Sequence, residues 1–155
     1  MRKLILKFWR IWFYLLAGTS FVLVLPLMAA SLFFPNGYRY VFWLGKNIWA
    51  RVTLFGMGFW VKTDFKTKLD PNQNYLFVAN HSSFIDILLM IWVSKHPFVF
   101  VGKKELVKIP IFGSLYKRAA IMVDRTSSKS RFEVYKRAQE VLEKGYSVCI
   151  FPENE

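Results

Sequence analysis

Apolar and polar positions divide the chain into three stretches of different pattern. Ile11 to Tyr38 runs for 28 residues without a charge, and Pro26 splits its apolar part into Ile11–Leu25 and Leu27–Phe34. The first piece alone makes about 22 Å of helix, short of the ~30 Å hydrocarbon core of a bilayer. Ile11–Phe34 taken together is long enough to span, with a kink expected at Pro26. Leu27-Met28-Ala29-Ala30-Ser31 loosely matches a signal-peptide cleavage site, but the apolar run is long for such a signal and continues past that site.

Tyr40 to Trp60 is apolar in a different way. Lys46 and Arg51 interrupt it, and Phe42, Trp43, Trp49, Phe55, Phe59 and Trp60 crowd it. That mixture suits a helix at the headgroup level better than one crossing the bilayer. With a turn near Pro35-Asn36-Gly37, the two stretches read as a helical hairpin seated in, or dipping into, one leaflet. A spanning helix followed by an interfacial one is the other arrangement open. Basic residues lie at both ends of the first run, so charge gives no orientation.

From Gly56 onward short apolar runs alternate with turn and cap signals. Phe59–Val61, Tyr75–Ala79, Phe98–Val101, Ile121–Val123 and Ser147–Phe151 read as buried strands. Phe84–Val93, Ile111–Lys117 and Arg131–Lys144 read as helices. For the last, Ser130 to Glu133 forms a capping box, Phe132, Tyr135, Ala138 and Leu142 form a stripe, and Gly145 ends it. This alternation predicts an α/β fold with a mostly parallel sheet flanked by helices, which binds ligands beyond the carboxyl ends of its strands.

Composition narrows the partners. Hydrophobic residues make up 54% of the 155 positions and aromatics 19%, too apolar for a disordered chain. The net charge is +12. Residues 1–63 hold eight Lys and Arg and no acid. Positive charge beside apolar runs points to anionic lipid headgroups, and no nucleic-acid partner is expected. One Cys excludes a disulfide framework within the chain and a Cys-rich zinc site, and with two His no multi-histidine metal site is expected. Cys149 reads as core, and His96, before Pro97, as an incidental residue of a polar turn.

Asn80-His81-Ser82-Ser83-Phe84-Ile85-Asp86 follows one strand and opens a helix. With Ser83 as N-cap, Asp86 is the third helical residue, and its side chain points back toward the turn holding His81. A carboxylate there can accept the Nδ1–H of His81, leaving Nε2 as a base. Ser82 and Ser83 adjoin His81 too closely for attack, so a hydroxyl of the substrate is the better nucleophile. The plainer alternative stays open: Asp86 completes a capping box and His81 is a turn residue.

His81 and Asp86 in this spacing resemble the His-x4-Asp motif of the 1-acyl-glycerol-3-phosphate (lysophosphatidate) acyltransferases. Three further blocks agree in order. Lys103-Lys104-Glu105-Leu106 with Ile109-Pro110-Ile111-Phe112-Gly113 is similar to the segment after the family's second strand. Ile121-Met122-Val123-Asp124-Arg125 resembles its second motif, and Phe151-Pro152-Glu153 the start of its third. The resemblance implies transfer of an acyl group from acyl-CoA or acyl-carrier protein to the hydroxyl of a lysophospholipid acceptor, giving phosphatidic acid from lysophosphatidic acid. His81 would be the base and Asp86 its orienting partner. Asn80, Ser82, Arg125 and Glu153 would bind substrate; a guanidinium matches phosphate oxygens bidentately. No cofactor or metal is implied. A membrane lipid is the implied partner, on the cytoplasmic face of the inner or plasma membrane.

The third motif departs from the family at Asn154, where the family has Gly, and the family's fourth motif has no counterpart. The expectation is residues 1–56 as membrane-associated helices and 57–155 as the N-terminal part of the catalytic domain. An inactive, truncated, membrane-associated fragment of such an enzyme is the alternative.

Overall fold

The computed structural model describes residues 2–109, 112–124 and 127–152. The chain forms two compact units: residues 1–64 with 83–94, and residues 65–82 with 95–155.

The first unit is helical. Helix α1 (Arg2–Ser31) runs through Pro26 without a break. The turn after it uses Asn36 in the left-handed region, at φ 59°, which Asn tolerates because its short polar side chain can bond locally. Gly37 then starts α2 (Gly37–Leu44), which continues as a π-helical turn (Gly45–Ala50) into α3 (Arg51–Gly56). The expected hairpin forms: α1 packs against all three segments. Phe13, Ser20, Val24 and Met28 make its buried stripe.

Small residues let the two arms approach closely. Ser20 and Thr53 hydroxyls lie 3.3 Å apart, Trp49 Nε1–H donates to the Ala17 carbonyl at 3.0 Å, and Trp12 Nε1–H to that of Gly56 at 3.1 Å. Away from this seam α1 exposes large apolar side chains, including Leu23 at 77% and Val22 at 63%. It is long and apolar enough to cross a membrane. Helix α4 (Phe84–Val93) joins this unit against the π-helical turn, with Leu88 and Ile91 buried. Lys46 Nζ reaches the Ser94 carbonyl at 2.6 Å, a cation at the negative end of the helix.

The second unit is a four-stranded sheet of β1 (Leu76–Val78), β2 (Phe98–Lys103), β3 (Ala120–Val123) and β4 (Ser147–Ile150). Every pairing is parallel and the order is β1-β4-β2-β3. The last strand thus inserts between the first two. The register sets Phe77, Cys149 and Phe100 in one row. Helix α5 (Phe112–Ala119) packs on β3, and α6 (Ser128–Glu143) on β3 and β4. A Cβ on Gly102 would overlap the Tyr116 hydroxyl, so that ring seats on β2 only over glycine.

Three local expectations need correction. Phe59–Val61 is coil, not strand. Helix α6 begins one turn early: Ser127 is the N-cap, accepting from the Ser130 amide at 3.3 Å, because the Ser130 hydroxyl accepts from the Asp124 amide at 2.9 Å and so secures the exit of β3. The expected stripe of α6 is half right. Ala138 and Leu142 lie partly buried with Val134 and Val141, whereas Phe132 and Tyr135 are exposed. Gly145 ends the helix as expected, at φ +83°. Gly145 N–H donates to the Leu142 carbonyl and Tyr146 N–H to that of Val141, a Schellman close.

Candidate active site

Within the second unit the parallel sheet brings the segments that follow its strands to one edge, because every strand there ends in the same direction. Asn80, His81 and Ser82 follow β1, whose pairing with β4 extends through the Ala79 amide to the Ile150 carbonyl at 3.2 Å. Phe151 and Pro152 follow β4, Lys103 ends β2, and Asp124 follows β3. Asn80 and Ser82 are exposed, and His81 is half-buried.

The His81 ring stacks on Phe151, with centroids 4.4 Å apart and planes 25° apart. Phe151 in turn stacks on Phe100 of β2 at 5.7 Å. Three rings therefore line up from the segment after β1, over the residue that follows β4, to the middle of β2. The stack fixes the imidazole plane, and Nδ1 of His81 is shielded from solvent. An imidazolium formed there would face the ring of Phe151, a contact favourable by about 0.5–1 kcal/mol. Sequence patterning places Phe151 in the third motif but gives no sign of its contact with His81, which needs β4 beside β1.

Asp86 lies in the first unit, at the start of α4. Ser83 is the N-cap, and its hydroxyl accepts from the Ile85 amide at 3.4 Å. Asp86 folds back, and its Oδ2 accepts the Ser83 N–H at 2.7 Å. The capping box is thus present. Arg125 and Glu153 lie outside the described residues, as does Asn154.

His96 lies in the bend between α4 and β2, as expected, but it is buried and meets Tyr75 edge-on at 5.3 Å. Cys149 is core, as expected, and burial pushes its thiol pKa up to about 12. Lys103 and Lys104 are exposed. Among the described residues no group of His, Cys, Asp and Glu is placed to hold a metal ion.

Comparison with known proteins agrees with the motif blocks. No solved structure gives a significant match. A 1-acyl-sn-glycerol-3-phosphate acyltransferase of Chlamydomonas reinhardtii is 27% identical over 151 residues, covering 92% of this chain and 43% of that protein. One from Limnanthes alba is 30% identical over 138 residues, covering 88% and 46%. One from Escherichia coli is 28% identical over 124 residues, covering 79% and 50%. The chain thus spans about half, or less, of these curated relatives. The sequence profile of the family described as Acyltransferase matches residues 60–154, the stretch that holds the sheet, His81 and the later motif blocks, and by that match the chain belongs to the acyltransferase family.

Proposed function

We propose that the protein transfers a fatty acyl group from a thioester to the hydroxyl of lysophosphatidic acid, giving phosphatidic acid in phospholipid biosynthesis. The observation that carries this reading is the seat of His81, held by a ring stack at the carboxyl edge of a parallel sheet with Nδ1 shielded. In the proposed step, Nε2 of His81 takes the acceptor's hydroxyl proton as its oxygen attacks the thioester carbonyl. The tetrahedral intermediate collapses, the C–S bond breaks, and the thiolate recovers a proton from the imidazolium. Asp86 accepts the Nδ1–H of His81, fixes the tautomer and offsets the positive charge. Asn80 and Ser82, beside His81, together with Arg125 and Glu153, hold the acceptor's glycerol phosphate. The acyl donor is acyl-CoA or acyl-carrier protein.

The acceptor and product are lipids, so a membrane seat brings the site to its substrate. Membrane association is supported by the many large apolar side chains that α1 exposes, since exposed apolar residues gathered on one element mark contact with lipid or protein. The proposed location is the cytoplasmic face of the inner or plasma membrane.

The test is acyl transfer to lysophosphatidate in vesicles by the complete gene product and its His81→Ala variant. Turnover should fall by at least about 10²–10⁴-fold, the typical contribution of a general base, while sedimentation with vesicles persists. A variant that keeps its turnover overturns the mechanism.

A further inference from the structure

Arg51 of α3 is exposed, yet its guanidinium is held in place. Its central carbon lies 5.9 Å from the ring centroid of Phe55 and 5.6 Å from that of Trp92 on α4. Phe55 meets Trp60 edge-on at 5.4 Å and Trp92 at 5.7 Å. The four side chains form one cluster within the first unit. Trp60, 81% exposed, is its outermost member.

Electrostatics leaves this cluster without an internal anion. Residues 1–64 and 83–94 hold eight Lys and Arg against two carboxylates, Asp64 and Asp86. Oδ2 of Asp86 is committed to the Ser83 amide. Among the described residues no carboxylate forms an ion pair with Arg51. Phe55 and Trp92 stand at 85° to one another with centroids 5.7 Å apart, so both lie on one side of the guanidinium and leave its other N–H groups open to phosphate oxygens, which a guanidinium matches bidentately. Exposed tryptophan beside it favours the headgroup level of a bilayer.

We propose that Arg51, held on one side by the rings of Phe55 and Trp92, binds the phosphate of an anionic membrane phospholipid, with Trp60 at headgroup depth. The inference rests on the membrane association proposed above and adds a specific lipid contact to it. It is distinct from the acceptor-binding role given to Arg125 and Glu153. A phosphatidylcholine phosphate carries its own ammonium partner, so an anionic headgroup competes better for Arg51.

The test uses the full chain in vesicles of equal parts phosphatidylglycerol and phosphatidylcholine, with photoreactive benzoylphenylalanine in place of Trp60. Mass spectrometry reads the ratio of the two lipid adducts. Arg51→Gln should lower the phosphatidylglycerol share about fivefold, the worth of one basic residue near an anionic surface, and Arg51→Lys should lower it less. Arg39→Gln, which removes an exposed charge elsewhere in the same unit, should leave the ratio unchanged. An unchanged ratio in Arg51→Gln, or an equal fall in Arg39→Gln, overturns the site while membrane association stands. Failure of the parent chain to sediment with vesicles overturns both. Inorganic phosphate, matched in ionic strength to chloride, should displace no more lipid than chloride does. Extra displacement assigns the site to free phosphate and overturns the lipid assignment.

Discussion

Asp86→Asn and Ser83→Ala perturb the same helix end in different ways, and comparing them separates capping from catalysis. In the folded chain Asp86 Oδ2 accepts the Ser83 N–H at 2.7 Å, and the Ser83 hydroxyl accepts from the Ile85 amide at a longer 3.4 Å. Removing the Ser83 hydroxyl costs α4 about 0.5–1 kcal/mol, the low end of the usual range for an N-cap, because its bond is long. An Asn at position 86 still offers an oxygen to the Ser83 amide. It forfeits the negative charge near the helix N-terminus, worth about 0.3–1 kcal/mol. The two variants should therefore loosen α4 alike, and hydrogen exchange of its amides should quicken by about two- to fivefold in each. Activity should divide them. An amide cannot offset the imidazolium charge and permits the wrong tautomer, and the equivalent change in a Ser-His-Asp triad costs about 10⁴ in turnover. Acyl transfer by the complete gene product should thus fall about 10³–10⁴-fold in Asp86→Asn and less than about fivefold in Ser83→Ala. Equal, small losses in both would mean that Asp86 is only a cap, and the paired His81–Asp86 mechanism would fail.

Phe151→Leu keeps an apolar side chain but removes the ring under His81; turnover should drop about two- to fivefold from the lost cation–π contact, and unaltered steady-state rates would refute a role for the stack. At the hairpin turn, a Cβ on Gly37 would run into the backbone carbonyl of Ser31. Gly37→Ala should therefore lower thermal stability by about 1–3 kcal/mol, read by circular dichroism in detergent, whereas an undisturbed melt would show that the turn opens without penalty. Burial raises the Cys149 thiol from its ordinary 9.0 to about 12, so the folded chain holds a proton there that the unfolded chain releases. This contribution to stability is full below about pH 9 and fades as pH rises toward about 12. Iodoacetamide at neutral pH should label Cys149 only after unfolding, and prompt labelling of the native chain would contradict the burial.

Much of this architecture is legible residue by residue. Phe84–Val93 has its Ser83 cap, its Asp86 at the third position and an unbroken apolar run, all local signals, and the helix has those bounds. Gly145 closes α6 because a left-handed residue is needed there. The hairpin follows from two apolar stretches around Pro35-Asn36-Gly37. The π-helical turn between α2 and α3 was not legible, since nothing local in Gly45–Ala50 distinguishes it from α-helix. Phe59–Val61 shows the opposite failure: a short apolar run reads as a strand, but without partners to complete a ladder it remains coil.

What the sequence determined alone are properties carried by near neighbours: caps, helix ends, strand runs, the spacing of His81 and Asp86, and the basic, apolar character of the first third. Tertiary structure decided what depends on residues distant in the chain. Insertion of β4 between β1 and β2 sets Phe151 against His81, 70 positions earlier. Packing of α6 on the sheet chose Val134 and Val141 over Phe132 and Tyr135 for its inner side. Contact between α3 and α4 drew Arg51 onto Trp92. A helix pattern offers more than one apolar stripe, and a parallel sheet admits several strand orders. Local free energies barely separate these alternatives, so the choice falls to whichever packing buries the most surface with its polar groups satisfied.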